Sequence, residues 1–161
     1  MNENLCAELN NQINKEFYSA YLYFAMSTYF SEIFLDGFAA FMKQQASEEL
    51  GHAEKLHDFL LRTNNKITLS RIEAPESDWV NVTDVFEAAL KHEKHVTSSF
   101  HHMYKMAKEQ GDYETEIFLQ WFITEQIEEE DTFFKLLEKV KILSKTPFGL
   151  QMFDAKLKHS G

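Results

Sequence analysis

The chain has 161 residues, of which 26 are acidic and 16 basic, giving a formal net charge of −10. Hydrophobic residues make up 44% of it, enough to pack the core of one ordinary domain and too many for a disordered chain. The negative charge repels phosphate backbones and attracts cations, so it argues against a nucleic-acid partner. Only two prolines and five glycines interrupt the sequence, which favours long helices over many short strands.

The cysteine content and the hydropathy pattern bear on location. Cys6 is the single cysteine, which excludes an intramolecular disulfide and a cysteine-based metal ribbon. The opening residues, MNENLCAEL, lack the basic and apolar parts of a secretory signal. The longest uncharged stretch covers only residues 17–31, shorter than the ~20 residues that span a bilayer. We therefore expect a cytoplasmic protein with no membrane partner.

The first half of the chain carries the pattern of a helical hairpin. Apolar residues at spacings of three and four predict a first helix from about residue 4 to residue 34. Asp36-Gly37 is expected to break this helix. A second helix is predicted from Phe38 to the neighbourhood of Asn64-Asn65. Because the intervening turn is short, the two helices should run antiparallel.

The second half repeats this design. Thr83 is the expected N-cap of a third helix, and Gly111 is its expected end. A fourth helix is predicted from Asp112 to about residue 143. The short turn between the third and fourth helices again predicts an antiparallel hairpin.

The segment between the hairpins decides the topology. Residues 66–82 show no helical period and contain Pro75. At ~3.3 Å per residue this segment can reach roughly 55 Å, whereas a helix of about 28 residues is ~42 Å long. The connector can therefore run the whole length of the bundle and make the second and third helices parallel. The sequence thus predicts one all-α domain over residues 1–161, with a four-helix bundle at about 4–143 and one long crossover.

A short fifth helix is predicted at about residues 147–158. Thr146-Pro147 is typical of an N-cap followed by proline at the first helical position. A helix this short is not stable alone and needs a surface on which to dock. We expect part of that surface to come from another subunit.

Six polar residues interrupt the inward apolar stripes, at positions where leucine would normally pack. Counted from the two turns, all six lie at a similar depth in the bundle. They form two sets separated by a constant 77 positions, Glu16, Glu49 and His52 in the first hairpin and Glu93, Gln126 and Glu129 in the second. We expect the two sets to meet at one level of the core.

A shared core position for four carboxylates predicts a site for two metal ions. Buried carboxylates cannot all stay ionised beside one another without positive charge. A salt-bridge network is an alternative source of that charge, but Lys15, Lys43 and Lys94 are expected on other helix faces. An oxygen-rich set with one imidazole differs from the thiolate sites of structural zinc, and iron is the usual metal in bundle cores.

The ligands divide between two Fe²⁺ ions. Glu49 is the expected bridge, and Gln126 is a weaker ligand or a hydrogen-bonding partner. The assignment places three ligands on one ion and two on the other: Glu16, Glu49 and His52, and then Glu93 and Glu129.

The chain resembles a bacterial non-haem ferritin over nearly all its length. Four segments carry the resemblance: NKEFYSAYLY around Glu16, ASEELGHAEKL around Glu49 and His52, KHEKH around Glu93, and FLQWFITEQIEEE around Gln126 and Glu129. The resemblance implies a ferritin-like bundle and a ferroxidase centre that oxidises Fe²⁺ with oxygen or hydrogen peroxide and deposits Fe³⁺ as a mineral. It also implies a hollow homo-oligomeric shell of twenty-four subunits, with the tail helix lining shell channels.

Further roles follow from the same resemblance. It implies a third iron position that shares Glu129 and adds three more acids: Glu48, Glu125 and Glu128. Each of these three acids could equally be solvated. The resemblance also implies that Tyr23 gives an electron during oxygen reduction and that Trp121 assists it. Ordinary core packing is the alternative for both aromatic residues.

Some features separate this chain from related classes of protein. Bacterioferritins bind haem through a methionine at the position of Leu50, so no haem is expected here. A di-iron oxygenase or peroxidase without mineral storage remains an alternative, because one bundle hosts several chemistries. DNA-protecting mini-ferritins build their sites between subunits and do not need this intrachain set. The remaining histidines are expected on the surface or at the tail: His57, His92, His95, His101, His102 and His159.

Overall fold

The structure is a computed structural model that describes residues 1–158, so His159 lies outside the described residues. Within that range it contains five helices, α1 (Glu3–Glu32), α2 (Asp36–Arg62), α3 (Val82–Gln110), α4 (Tyr113–Leu143) and α5 (Gly149–Lys158). The predicted four-helix bundle with a short tail helix is confirmed. No helix of this described part is both long enough and apolar enough to cross a membrane.

The ends of α3 and α4 follow local capping chemistry. Gly111 ends α3 in the left-handed conformation, with φ of 65°. Asp112 caps α4 by accepting a hydrogen bond from the backbone N–H of Thr115 at 3.1 Å. The prediction of Thr83 as the cap of α3 is wrong, because Asn81 accepts the capping hydrogen bond from the residue-84 amide at 3.0 Å.

The turn between α1 and α2 does not lie at Asp36-Gly37, so that prediction is wrong. Both residues belong to the first turn of α2. The chain reverses at Phe34, which adopts a φ of 61° although it is not glycine. The backbone N–H of Leu35 donates to the carbonyl of Phe30 at 2.9 Å and closes the end of α1. The sequence did not indicate this left-handed position, because a positive φ is uncommon for a residue other than glycine.

Gly37 instead allows α5 to approach α2. A Cβ atom at this position would lie 2.0 Å from the carbonyl oxygen of Asp154, closer than real atoms approach. The buried Asp154 carboxylate accepts a hydrogen bond from the backbone N–H of Phe38 at 2.8 Å. It therefore occupies the positive end of the α2 dipole. Lys158 adds an exposed ion pair to Asp36 at 3.2 Å. The tail helix thus docks on its own subunit.

The tail helix begins at Gly149, two residues later than predicted. The Thr146 hydroxyl does not cap α5, because it donates to the carbonyl of Leu143 at the end of α4, at 3.1 Å. Pro147 consequently lies in the turn between the two helices. A Cβ atom at Gly149 would meet that same carbonyl oxygen at 2.5 Å, so the chain reverses here at close range.

The connector lies along α1, and its course over the length of the bundle is the predicted crossover. At its start, the side chain of Asn10 donates to the carbonyl of Lys66 at 3.0 Å and accepts from the backbone N–H of Thr68 at 2.6 Å. Near its end, the ring of Trp79 packs edge-on against Tyr29 with centroids 5.8 Å apart. The connector therefore follows α1 towards its C-terminal end, which makes α2 and α3 parallel.

The apolar core consists of two separate clusters. One lies towards the α1–α2 turn and is built around large aromatic residues, including Phe30, Phe38, Phe86 and Phe133. The other lies towards the opposite end and includes Leu9, Ile13, Leu56, Phe100 and Phe122. The six predicted polar residues fall between the members of these clusters along each helix. They occupy a layer in the middle of the bundle.

Because of the close contact at Gly37, replacement by alanine should have opposite effects on stability at two helical glycines, Gly37 and Gly51. Gly37→Ala should lower the melting temperature and expose α5 to proteolysis, because the new methyl group overlaps the backbone of Asp154. Gly51→Ala is the matched control, since Gly51 is exposed on α2 and a Cβ atom there meets nothing within 4 Å. Gly51→Ala should stabilise the protein by about 0.5–1 kcal/mol. Equal melting temperatures for the two variants would contradict this account of α5.

Candidate metal centre

The mid-bundle layer is polar and almost completely dry. Six predicted side chains on four helices are at most 7% exposed: Glu16, Glu49, His52, Glu93, Gln126 and Glu129. Each lies on the inward face of its helix, between residues of the two apolar clusters. Water therefore cannot solvate these carboxylates, and their charge must be compensated within the layer.

One group of three has the arrangement of a cation site. Glu16 of α1 and Glu49 and His52 of α2 each offer one ligand atom, and these atoms lie within 4.8 Å of one another. His52 follows Glu49 by three residues, so both side chains share one face of α2. The Nδ1 atom of His52 lies 3.6 Å from Glu16 Oε2 and 3.4 Å from Glu49 Oε2. These separations are too long for good hydrogen bonds, so the three groups face one another across a gap.

Three polar atoms around this gap have no hydrogen-bond partner within the described residues. They are buried and belong to the three residues that face it: Glu16 Oε2, Glu49 Oε1 and His52 Nδ1. Unpartnered buried polar atoms are rare in proteins, because each one carries a desolvation cost. A cation placed among two carboxylates and an imidazole would satisfy all three, so the residues present fit a divalent ion.

The second set lies on α3 and α4 and is already hydrogen-bonded. Glu93 accepts hydrogen bonds from the Tyr23 hydroxyl and, at 2.9 Å, from the side-chain amide of Gln126. Glu129 accepts one from the side-chain amide of Gln45 at 2.8 Å. Glu93 and Glu129 do not join the group of three within 4.8 Å. The structure therefore brings three of the six predicted ligands together and leaves their pairing with the second set a prediction.

Electrostatics nevertheless couple the two sets. Burial raises the pKa of Glu49 well above its ordinary value, and the charges of Glu16 and Glu93 raise it further. Burial also acts to raise the pKa of Glu16, but the nearby His52 and the Gln12 amide bring it below the ordinary value. Burial acts to lower the pKa of His52, but its contacts with the Glu16 and Glu49 carboxylates outweigh this effect and raise it. The imidazole is therefore protonated without metal. Cation binding must displace that proton.

Burial is also the main influence on the second set. It raises the pKa of Glu93 to about 7, against the hydrogen bonds from Tyr23 and Gln126 that favour the ionised form. Burial and the charge of Glu93 raise the pKa of Glu129 to about 7. Both carboxyls therefore titrate near neutrality, and their ionised forms are available when a divalent ion provides the compensating charge.

The acids predicted for a third position lie at the edge of this layer. Glu48 and Glu125 are half-buried, and Glu128 is exposed. The charge of Glu48 contributes to the raised pKa of Glu129, which shows that the two carboxyls lie near each other. No group of three ligand atoms forms there within residues 1–158. The third iron position remains a prediction.

The two aromatic residues singled out in the sequence both contact the polar layer. Tyr23 is fully buried, stacks on Phe133 with ring centroids 5.5 Å apart, and donates its hydroxyl to Glu93. Trp121 packs edge-on against the His52 ring with centroids 5.5 Å apart, and its outer face carries the Lys55 ammonium at 3.9 Å. Core packing of an aromatic ring with a polar partner is consistent with both contacts, and a redox role for either residue remains a prediction.

Sequence reasoning missed the hydrogen-bond donors of the layer. Gln12 donates to Glu16 Oε1 at 2.6 Å from one turn earlier on α1, a spacing that the sequence does show. Gln45 lies on the inward stripe of α2, but its contact with Glu129 on α4 became visible only in the tertiary structure.

The prediction that His92 lies on the surface is wrong, because its Nε2 atom lies 2.7 Å from the Ser19 hydroxyl. That ring also packs edge-on against Tyr23.

The pKa of Glu129 predicts how the metal-free protein responds to pH. Its folded value of about 7 exceeds the ordinary value of 4.5, so the folded state binds the proton more tightly than the unfolded state. The free energy of unfolding of the wild type should therefore fall as pH rises from 5 to 8. Glu129→Gln removes this contribution. The free energy of unfolding of the variant, relative to that of wild type, should therefore rise by on the order of 2 kcal/mol between pH 5 and pH 8.

Chemical denaturation of chelator-treated protein at pH 5 and pH 8 measures this difference. Glu54→Gln is the matched control, because Glu54 is exposed on the same bundle and solvent surrounds its carboxylate. Glu54→Gln should change the free energy of unfolding by the same amount at both pH values. A Glu129→Gln variant that loses relative stability at pH 8 would contradict the burial argument.

Comparison with known proteins agrees with this architecture. Residues 6–143 match the family model described as the ferritin-like domain. A bacterial non-heme ferritin of Campylobacter jejuni is 39% identical over 151 residues, which cover 94% of this chain and 90% of that protein. A bacterial non-heme ferritin of Escherichia coli O6:H1 is 35% identical over 150 residues, covering 93% of this chain and 91% of that protein.

A solved structure gives the same result for the backbone. The open pore ferritin of the hyperthermophilic archaeon Archaeoglobus fulgidus superposes with a TM-score of 0.96 at 38% identity, covering 98% of this chain and 96% of that chain. The match includes the bundle, the long connector and the tail helix. The sequence match and the backbone match together place this chain in the ferritin family.

Proposed function

We propose that this protein stores and detoxifies iron by oxidising Fe²⁺ to Fe³⁺ within each subunit and depositing the product inside a hollow shell. One observation carries the proposal: Glu16, Glu49 and His52 are buried, each offers a ligand atom within 4.8 Å of the other two, and each has a side-chain atom without a hydrogen-bond partner. Iron is the substrate of this reaction. Membership of the ferritin family supports iron as the cation over other divalent ions.

Two Fe²⁺ ions bind in the mid-bundle layer. Glu49 bridges them, and Gln126 is a weaker ligand or a hydrogen-bonding partner of the second ion. The division of ligands is that expected from the sequence: Glu16, Glu49 and His52 for the first ion, and Glu93 and Glu129 for the second. The raised pKa of Glu93 and Glu129 supports this division, because both carboxyls lack compensating charge until a cation arrives.

Residues of the layer release protons and transfer electrons during the reaction. Binding of Fe²⁺ expels the protons held by His52 and by the carboxyls of the layer. The two Fe²⁺ ions lose two electrons, which reduce oxygen to hydrogen peroxide or hydrogen peroxide to water. Tyr23 is within hydrogen-bonding contact of Glu93, and we assign it the transient donation of one electron in this reduction, assisted by Trp121. Fe²⁺ returns that electron to the oxidised tyrosine, so the two iron ions supply both electrons overall. The apolar clusters on both sides keep bulk water out of the layer.

The proposal extends to a third iron position and to the assembly. Glu48, Glu125 and Glu128 hold the third ion together with Glu129, at the edge of the layer. The shell is a homo-oligomer of twenty-four subunits in the cytoplasm, and no haem is required. Large exposed apolar side chains support subunit contacts, among them Phe34 at 87%, Tyr113 at 71% and Phe148 at 73% exposure.

Replacement of ligands tests the site. Glu49→Ala and Glu129→Ala should each lower the rate of Fe²⁺ oxidation by roughly a hundredfold, because removal of a ligand sacrifices several kcal/mol of cation stabilisation. Oxygen consumption and the absorbance of the ferric product measure the rate. Glu54→Ala changes an exposed carboxylate of α2 and should oxidise Fe²⁺ at the wild-type rate. Unchanged rates in both ligand variants would exclude this site.

The alternative is a di-iron oxygenase or peroxidase that stores no mineral. Iron loading followed by a count of Fe³⁺ retained per subunit separates the two functions. Storage predicts retention far above two Fe³⁺ per subunit in a particle of shell size on gel filtration. Retention of no more than two, in a particle the size of a monomer, would favour the alternative. Anomalous scattering from a crystal soaked in Fe²⁺ would show whether two or three positions fill.

A further inference from the structure

We propose that Gln12 and Gln45 are positioning residues whose hydrogen bonds stabilise Glu16 and Glu129 more in the empty centre than in the loaded one, and so determine how readily iron leaves it. This inference rests on the proposed function, in which each subunit must empty its site after every oxidation. Neither residue is one of the six predicted ligands. Both contribute only a neutral amide to the carboxylate layer.

Gln12 holds one oxygen of Glu16 and leaves the other free. It is 1% exposed and lies one helical turn before Glu16 on α1. Its Nε2 atom donates to Glu16 Oε1 at 2.6 Å. Glu16 Oε2 has no hydrogen-bond partner and points towards His52 Nδ1 at 3.6 Å. The amide therefore occupies one carboxylate oxygen and orients the second towards the gap between the ligands.

Gln45 donates to Glu129 across the bundle. It is 5% exposed on α2, and its Nε2 atom donates to Glu129 Oε2 on α4 at 2.8 Å. One carboxylate of each proposed ion subsite thus has a dedicated amide donor, Gln12 for the first and Gln45 for the second.

The two donors are separate from the ligand pattern. The ligands recur with an offset of 77 positions, but the residues at that offset from Gln12 and Gln45 are Ala89 and Phe122. A lysine or arginine at these positions would pair permanently with the carboxylate and oppose a cation by like-charge repulsion. A neutral amide stabilises the ionised carboxylate without adding charge. The layer therefore tolerates both the empty and the loaded state.

Whether removal of an amide raises or lowers the affinity for the cation depends on which state, empty or loaded, the amide stabilises more. In the empty site no cation shares the charge of the ionised carboxylate, and the hydrogen bond to it is strong. In the loaded site the cation shares that charge, so the same hydrogen bond is weaker. Removal of the amide should destabilise the empty site more than the loaded one. Cation affinity should then rise, unlike the usual loss when an outer partner of a metal ligand is removed.

The experiment replaces each amide with a side chain of similar shape that cannot donate. Gln12→Met and Gln45→Met keep the length and the helix propensity of glutamine. Gln120→Met is the matched control, because Gln120 is exposed on α4. Zn²⁺ is the probe, since it binds without redox chemistry, and calorimetric titration of chelator-treated assembled protein gives its affinity.

We expect each variant to bind Zn²⁺ about tenfold more tightly than wild type, a difference of about 1.4 kcal/mol. The variants should melt at lower temperature than wild type when empty, and this deficit should shrink when Zn²⁺ saturates the site. In oxidation assays, the rates of successive Fe²⁺ additions are compared with the rate for the first two Fe²⁺ per subunit of the same variant. Later additions should react several-fold more slowly, because the preceding Fe³⁺ leaves more slowly.

Weaker or unchanged Zn²⁺ affinity in both variants would overturn the inference, as would an equal loss of melting temperature with and without Zn²⁺. A purely structural role gives that second result. If one variant does not fold, the other decides the question alone. Wild-type protein that neither binds Zn²⁺ in the layer nor oxidises Fe²⁺ would instead refute the proposed function. The wild-type measurements therefore test the proposed function, and the variants test the role of Gln12 and Gln45.

Discussion

The burial of four carboxylates in one dry layer is the constraint around which this bundle is organised. Apolar clusters on both sides exclude the water that would otherwise solvate these groups. Charge must then come from a protonated histidine, from shared protons or from a cation. The raised pKa of His52 and of Glu49 shows that protons fill this role when no metal is bound. A divalent ion replaces those protons, which links iron binding to the stability of the fold.

The fold supplies this layer through two hairpins and a connector that leaves α2 and α3 parallel. Glu16 and Glu49 reach the layer from the first hairpin, and Glu93 and Glu129 reach it from the second. Because the connector is bonded to Asn10 and packed against Tyr29, it positions the second hairpin beside α1 over most of its length. None of the six predicted ligands lies on a loop, so the site inherits the rigidity of long helices.

The layer also contains neutral donors that suit a site through which iron passes. Tyr23, Gln12, Gln45 and Gln126 each donate to a carboxylate without contributing charge. A substrate that enters and leaves needs a layer that is stable when it is empty. In this protein the amides provide that stability, whereas the atoms left unpartnered mark where the cation enters.

The sequence by itself determined the four long helices, the crossover and the level of the six polar residues, since each follows from helical period, chain length or a constant offset. It also indicated the end of α3 at Gly111, where a left-handed residue was required. Only the tertiary structure decided that Phe34 makes the first turn, that Gly37 admits α5 and that His92 lies half-buried beside Tyr23. The approach of α5 to Gly37 and the position of His92 depend on contacts between elements distant in sequence. The donation from Gln45 to Glu129 is of the same kind, because a side chain's partner on another helix is set by packing and leaves no local pattern.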